Sequence, residues 1–86
     1  MANSANHSNS TDQSVIDFTA NYTSSSAQSI NGSTTLESIG IETQQDIAQY
    51  MMELEDSFGL TYVDDDANGI VTVGDVIAFI NQKLGV

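Results

Sequence analysis

The densest set of groups that could do chemistry is the stretch "DDDANGIVTVGD", Asp64 to Asp75. Counted from Asp64, oxygen-bearing side chains fall at places one, three, five and twelve (Asp64, Asp66, Asn68 and Asp75), and Gly69 stands at place six. A twelve-residue calcium loop uses this spacing to wrap carboxylates and amides around the ion. The Ile70 carbonyl would add a backbone ligand, and Val71 is the apolar residue usual before place nine. The same letters also spell two helix starts joined by an apolar crossing. In that reading Asp64 caps a short helix over about 65 to 69, Ile70 dips inward and Thr72 caps the next helix. Several features oppose the metal. Gly59 and an extended "LTYV" separate place one from the helix before it, place twelve is Asp where the longer Glu grips calcium with both oxygens, and no second loop is present.

Outside that stretch the chemistry is sparse. Cysteine is absent, which removes disulfides, thiolate nucleophiles and cysteine-ligated zinc together. His7 is the single histidine and lies in a polar segment without a fixed partner, the setting of a solvated side chain and not of a base. Neither a nucleophile with an adjacent base nor a glycine-rich phosphate loop is visible, so the expectation is a protein that is not an enzyme.

Charge narrows the partners. Twelve acidic residues face Lys83 alone, giving a formal charge of -11. Phosphate backbones and anionic lipid surfaces are repelled, so neither nucleic acid nor membrane is an expected partner. The complement is a basic surface on another protein, reached by electrostatic steering. The plainer reading is that the acidity serves solubility or salt tolerance. No run approaches the ~18 apolar residues of a spanning helix, and "MANSANHSNSTDQS" lacks the basic start and apolar middle of a signal peptide, so a cytoplasmic monomer is expected.

Positioning these residues requires a small core, for which roughly 60 to 70 of the 86 residues remain once the front end is set aside. Residues 1 to 10 are Asn, Ser and Ala without periodicity and are expected to form a disordered tail; residues 11 to 86 form the one domain. Val15, Ile16, Phe18 and Tyr22 predict a first helix over about 11 to 22. "TSSSAQSINGSTT" reads as a loop, pinned to the core by Ile30, Leu36, Ile39 and Ile41. Ile47, Tyr50, Met51, Leu54 and Phe58 share one arc of a second helix, headed by Thr43 with Asp46 three places on and stopped by Gly59. Thr72 and Asp75 repeat that capping spacing before Val73, Val76, Ile77, Ile80 and Leu84. The fold class is all-α, with three longer helices and one short one, no strand and no internal repeat. The seams beginning at Ile47 and Val73 are expected to close on each other.

Taken together, "TTLESIGIET", "MMELEDSFGL" and "DDDANGIVTVGDVIAFI" resemble the acyl carrier protein family. In that family a loop of the type T-x-L-E-x-L-G-x-D-S-L leads into an acidic second helix ending L-E-E-x-F-G. An acidic short helix and I-T-T-V-G-D-V-I-x-x-I follow. The resemblance covers about residues 33 to 80, and "TVGDVI", Thr72 to Ile77, is close to literal. It implies a small four-helix bundle and explains the Asp64 stretch without a metal.

The resemblance also implies a prosthetic 4'-phosphopantetheine on the Ser of the D-S-L motif, where this chain departs. Read forward from "LESIG", the motif falls on Glu42, Thr43 and Gln44; read back from Phe58 it falls on Thr43, Gln44 and Gln45. Neither register supplies serine. Ser38 imitates the motif but lies six residues too far from Phe58 to begin the same helix. No cofactor is expected as written, and Thr43 is the candidate attachment position if the arm is carried. The plainer role for Thr43 is a helix cap. The family's docking face survives as Glu42, Asp46, Gln49, Met52, Glu53 and Asp56, where acids meet basic partner enzymes and Met offers adaptable apolar contact. The resemblance therefore implies a carrier-like domain that docks on enzymes of fatty acid, polyketide or peptide thioester metabolism without an arm. The alternatives are a working carrier modified on Thr43 and a calcium module using Asp64, Asp66, Asn68 and Asp75.

Overall fold

The computed structural model describes residues 3 to 85, with side chains from residue 11 onward. Three α-helices, α1 (Asn3–Thr23), α2 (Gln44–Ser57) and α3 (Val73–Leu84), are joined by three 3-10 turns at Ala27–Ser29, Glu37–Ile39 and Asp64–Ala67. An isolated antiparallel bridge pairs Thr35 with Thr72. The all-α bundle is the one expected, with the short acidic helix realised as the tighter 3-10 form.

Helix α1 contains the expected helix over 11 to 22 and continues its backbone pattern back to Asn3. Residues 3 to 10, expected to belong to a disordered tail, thus carry the backbone of α1, while residues 1 and 2 and the side chain of His7 lie outside the described residues. The buried face also differs from the expected one. Val15, Thr19 and Ala20 are buried, Ile16 and Phe18 are half-buried, and Tyr22 reaches the rim. A threonine enters the core because its hydroxyl is satisfied twice. Thr19 Oγ1 donates to the Val15 carbonyl at 2.7 Å and meets the Tyr50 hydroxyl at 2.5 Å. A hydroxyl has one proton, so Tyr50 is the donor in the second bond. The helix stops where Ser24 turns left-handed, φ 58°, and the Ser25 amide reaches back to the Ala20 carbonyl at 2.8 Å.

The long loop is pinned as expected by Ile30, Leu36 and Ile41, all buried, with Ile39 half-buried. Its backbone also does specific work at α3. The first amides of a helix have no partner within it. Here Val73 N donates to the Thr34 carbonyl at 2.8 Å and Gly74 N to the Gly32 carbonyl at 2.9 Å. Gly74 permits that approach: a Cβ there would lie 2.8 Å from Gly32 O.

In α2 the arc narrows to Tyr50, Met51 and Leu54, with Ile47 and Phe58 half-buried. The helix ends in two stacked bonds, Leu60 N to the Glu55 carbonyl at 2.8 Å and Gly59 N to the Asp56 carbonyl at 3.0 Å. Gly59 adopts φ 73°, the left-handed conformation this ending requires. In α3, Val73, Val76 and Ile80 are buried and Ile77 is half-buried, but Leu84 is exposed, because the final turn faces a polar cluster.

The two seams meet in one core that holds Tyr50, Met51 and Leu54 with Val73, Val76 and Ile80. Their closure is less direct than expected. Helix α1 runs against α3, and α2 runs against the third 3-10 turn, so the seams join through these intermediaries.

Candidate functional site

Helix α2 begins at the position where the sequence resemblance seeks a serine. Thr43 is extended, φ -99° and ψ 162°, and its Oγ1 accepts the Asp46 N–H at 3.0 Å. Asp46 answers with Oδ2, which accepts from Thr43 N at 3.3 Å and from Glu42 N at 3.4 Å. These bonds, led by the Thr43 amide, hold the Asp46 carboxyl below the usual carboxylate range. The capping box expected from Thr43 and Asp46 is therefore present, with two orphan donors satisfied reciprocally.

A phosphopantetheine group needs a free, uncrowded hydroxyl. Thr43 is exposed and its oxygen, although it accepts the cap bond, keeps its own proton, but its Cβ carries a methyl that serine lacks. It is a poor fit to that group. Gln44, which stands where the motif has Leu, reaches across to donate from Nε2 to the Ala67 carbonyl at 3.1 Å and ties the start of α2 to the third 3-10 turn. Ser38 lies outside α2 altogether, in the second 3-10 turn, and its Oγ donates to the Thr35 carbonyl at 2.7 Å.

The positions expected to form a docking face are all exposed: Glu42, Asp46, Gln49, Met52, Glu53 and Asp56. Met52 is 44% exposed, a large apolar side chain left in water between carboxylates. Gln49 Nε2 donates to Glu53 Oε2 at 2.7 Å, a bond between neighbouring turns that orients one carboxylate of the stripe.

The Asp64 stretch separates into two capping sites. Asp66 Oδ2 accepts from Val63 N at 3.1 Å, closing the third 3-10 turn. Asp75 Oδ2 accepts from Val71 N at 2.9 Å and Thr72 N at 3.0 Å, and Thr72 Oγ1 accepts from Asp75 N at 3.1 Å. Asp64 is the first residue of its turn and not the cap, which is Val63. Asp64 and Asn68 are exposed, and among the described residues no three acidic or histidine side chains gather around a common point. The loop-like spacing is thus occupied by two helix starts.

One cluster was not anticipated. Lys83 Nζ lies 2.7 Å from Glu55 Oε1 and 2.6 Å from Asp66 Oδ2, donates to the Thr61 carbonyl at 2.8 Å, and sits 5.4 Å from the centre of the Phe79 ring. Glu55 has no exposed surface, and its Oε2 has no partner. Burial pushes the Glu55 carboxyl up, only partly offset by Lys83. Burial also pushes Asp66 up, but Lys83 and the Val63 amide outweigh it and leave that carboxyl below its ordinary value. Asp66 and then Glu55 raise the lysine. The one lysine of a chain without arginine is thereby paired with two carboxylates of its own fold. Glu55 was legible as position i+4 from Met51, within the buried arc.

No family model matches the chain, and no solved structure matches it. Over 39 residues it is 46% identical to a curated protein named acyl carrier protein from Exiguobacterium sp., a stretch covering 45% of this chain and 49% of that protein. The chain spans about half the length of the curated relative it matches. The motifs at Thr34 to Thr43 and Thr72 to Ile77, the all-helical bundle and this match agree, and over the matched stretch the chain is similar to the acyl carrier protein family.

Proposed function

We propose that this chain is a non-catalytic, carrier-like protein of the cytoplasm, recognised by basic surfaces of acyl-processing enzymes through α2, and that it works without a phosphopantetheine arm. The observation that carries the reading is the charge arrangement. Asp46, Glu53 and Asp56 stand in water along α2 with Met52 among them and Glu42 just ahead of its cap, while the single lysine is paired with Glu55 and Asp66. A carboxylate row with no intramolecular cation attracts Arg and Lys from outside, and an exposed methionine supplies contact that adapts to the partner's shape. Thr43 supports the second half, since neither register of the motif places a serine here and the threonine methyl crowds the hydroxyl.

Intact-mass measurement after incubation with coenzyme A and a broad-specificity phosphopantetheinyl transferase tests the absence of the arm. The unmodified mass is expected to persist. A mass gain that disappears in Thr43→Ala would establish the working-carrier alternative.

A further inference from the structure

Tyr22 stands near the end of α1 with 37% of its surface exposed, yet its ring is fixed from two sides. Phe18, one turn earlier, stacks on it with 5.9 Å between centroids and 18° between planes. Tyr50 of α2 meets it edge-on at 5.4 Å and 66°. Tyr50 sets the register across the junction. Asp46 lies four residues before it and Glu53 three after, so both carboxylates rise beside the Tyr50 column on α2. Their charge reaches the ring: the Tyr22 phenol is pushed up first by burial, then by Glu53 and by Asp46. The junction of α1 and α2 therefore carries a rigid, part-exposed aromatic bordered by carboxylates, and the chain's own lysine is held elsewhere by Glu55 and Asp66.

We propose that the docking face extends from α2 onto α1, where Tyr22 receives an arginine side chain of the basic partner, its guanidinium against the exposed part of the ring and paired with Glu53. This rests on the reading of α2 as a docking face. Arginine is the occupant that fits. Its planar, weakly hydrated head stacks on aromatic rings while its fork engages a carboxylate, whereas a lysine ammonium holds its water more tightly. The ring is already fixed by Phe18 and Tyr50, so little side-chain freedom is lost on binding.

The test uses the isotope-labelled full chain, titrated at low salt with a synthetic amphipathic helical peptide carrying leucines and arginines, and with its lysine twin. Expected are saturable shifts along α2 with both peptides and arginine-specific shifts of the Tyr22 ring protons. Tyr22→Leu is expected to weaken the arginine peptide about two- to five-fold, with Tyr22→Phe restoring it. Glu53→Gln weakens both peptides. If Glu53→Gln and Met52→Ala weaken binding but Tyr22→Leu does not, the α2 face stands and the role of Tyr22 is overturned. If neither peptide gives saturable shifts on α2, both readings fall. Should Tyr22→Leu fail to fold, the wild-type ring decides: shifts equal for the two peptides overturn the proposal.

Discussion

Lys83 Nζ lies 2.7 Å from Oε1 of Glu55, a carboxylate with no surface in water, and this pair joins the last turn of α3 to the last turn of α2. Two buried carboxylates depend on one ammonium. Removing it leaves both charges uncompensated, which costs more than the pair gains by being present. Lys83→Met is expected to destabilise the fold by about 3 kcal/mol, near the low end for a broken buried pair because the lysine is part-exposed. Urea unfolding checks this, with a lower midpoint at unchanged slope.

The same cluster sets a pH dependence. Glu55 has a raised carboxyl in the fold, so its contribution favours folding on the acid side and is lost as pH rises through its folded value. Asp66 is depressed, so its contribution is present above its unfolded value and is lost as pH falls further. Stability is expected to peak at mildly acidic pH, between these limits. Relief of the repulsion among the remaining carboxylates acts in the same direction as Glu55, so the comparison with Glu55→Gln isolates the buried group. That variant should lose part of the gain between neutral and mildly acidic pH. Thermal melts across the acid range would show identical curves for both proteins if Glu55 were not involved.

The buried pair of hydroxyls predicts an asymmetry. Thr19→Val leaves the Tyr50 O–H buried without an acceptor, at a cost of about 1 to 3 kcal/mol. Tyr50→Phe removes a donor that Thr19 can better do without, since Thr19 still bonds to the Val15 carbonyl. The double variant should cost less than the sum of the two, the signature of a shared bond in a double-mutant cycle. Burial pushes the Tyr50 phenol up to about 12, so ultraviolet titration should show a ring hydroxyl ionising near that pH, absent in Tyr50→Phe.

Gly74→Ala places a Cβ 2.8 Å from the Gly32 carbonyl, which must retreat from the first turn of α3. The expected loss is about 1 to 3 kcal/mol, as for an overpacked core. Thr43→Ala and Thr72→Ala should each cost about 1 kcal/mol through a lost cap. Chemical denaturation of the three variants checks the order, with Gly74→Ala at least as damaging as either cap.

Much of the fold was legible because local rules and packing agreed in particular places. Thr43 with Asp46 and Thr72 with Asp75 are capping pairs whose geometry follows from spacing alone, and both boxes are present. Gly59 marked the end of α2 through a backbone conformation few other residues adopt. The misses have a different origin. Asp66 fits place three of a calcium-loop spacing; its burial depends on Lys83, which lies far along the chain and arrives only in the folded state. Thr19 and Leu84 exchanged the sides that polarity suggests, one because two hydroxyl bonds satisfy it inside, the other because the last turn of α3 is spent on the lysine cluster. The exposure of Asp46, Gln49, Met52, Glu53 and Asp56 on α2 was legible from helical spacing, since each lies off the Tyr50, Met51 and Leu54 arc.

The central claim is that a carboxylate row on α2 is the surface this chain shows to enzymes that handle acyl carriers. Calorimetric titration against a phosphopantetheinyl transferase, without coenzyme A and over a series of salt concentrations, tests it most directly. The account predicts saturable binding that weakens as salt rises, is reduced by Glu53→Gln and by Met52→Ala, and is unchanged by Glu37→Gln off the helix. Binding that ignores salt and these α2 changes, or no binding at low salt, would contradict it.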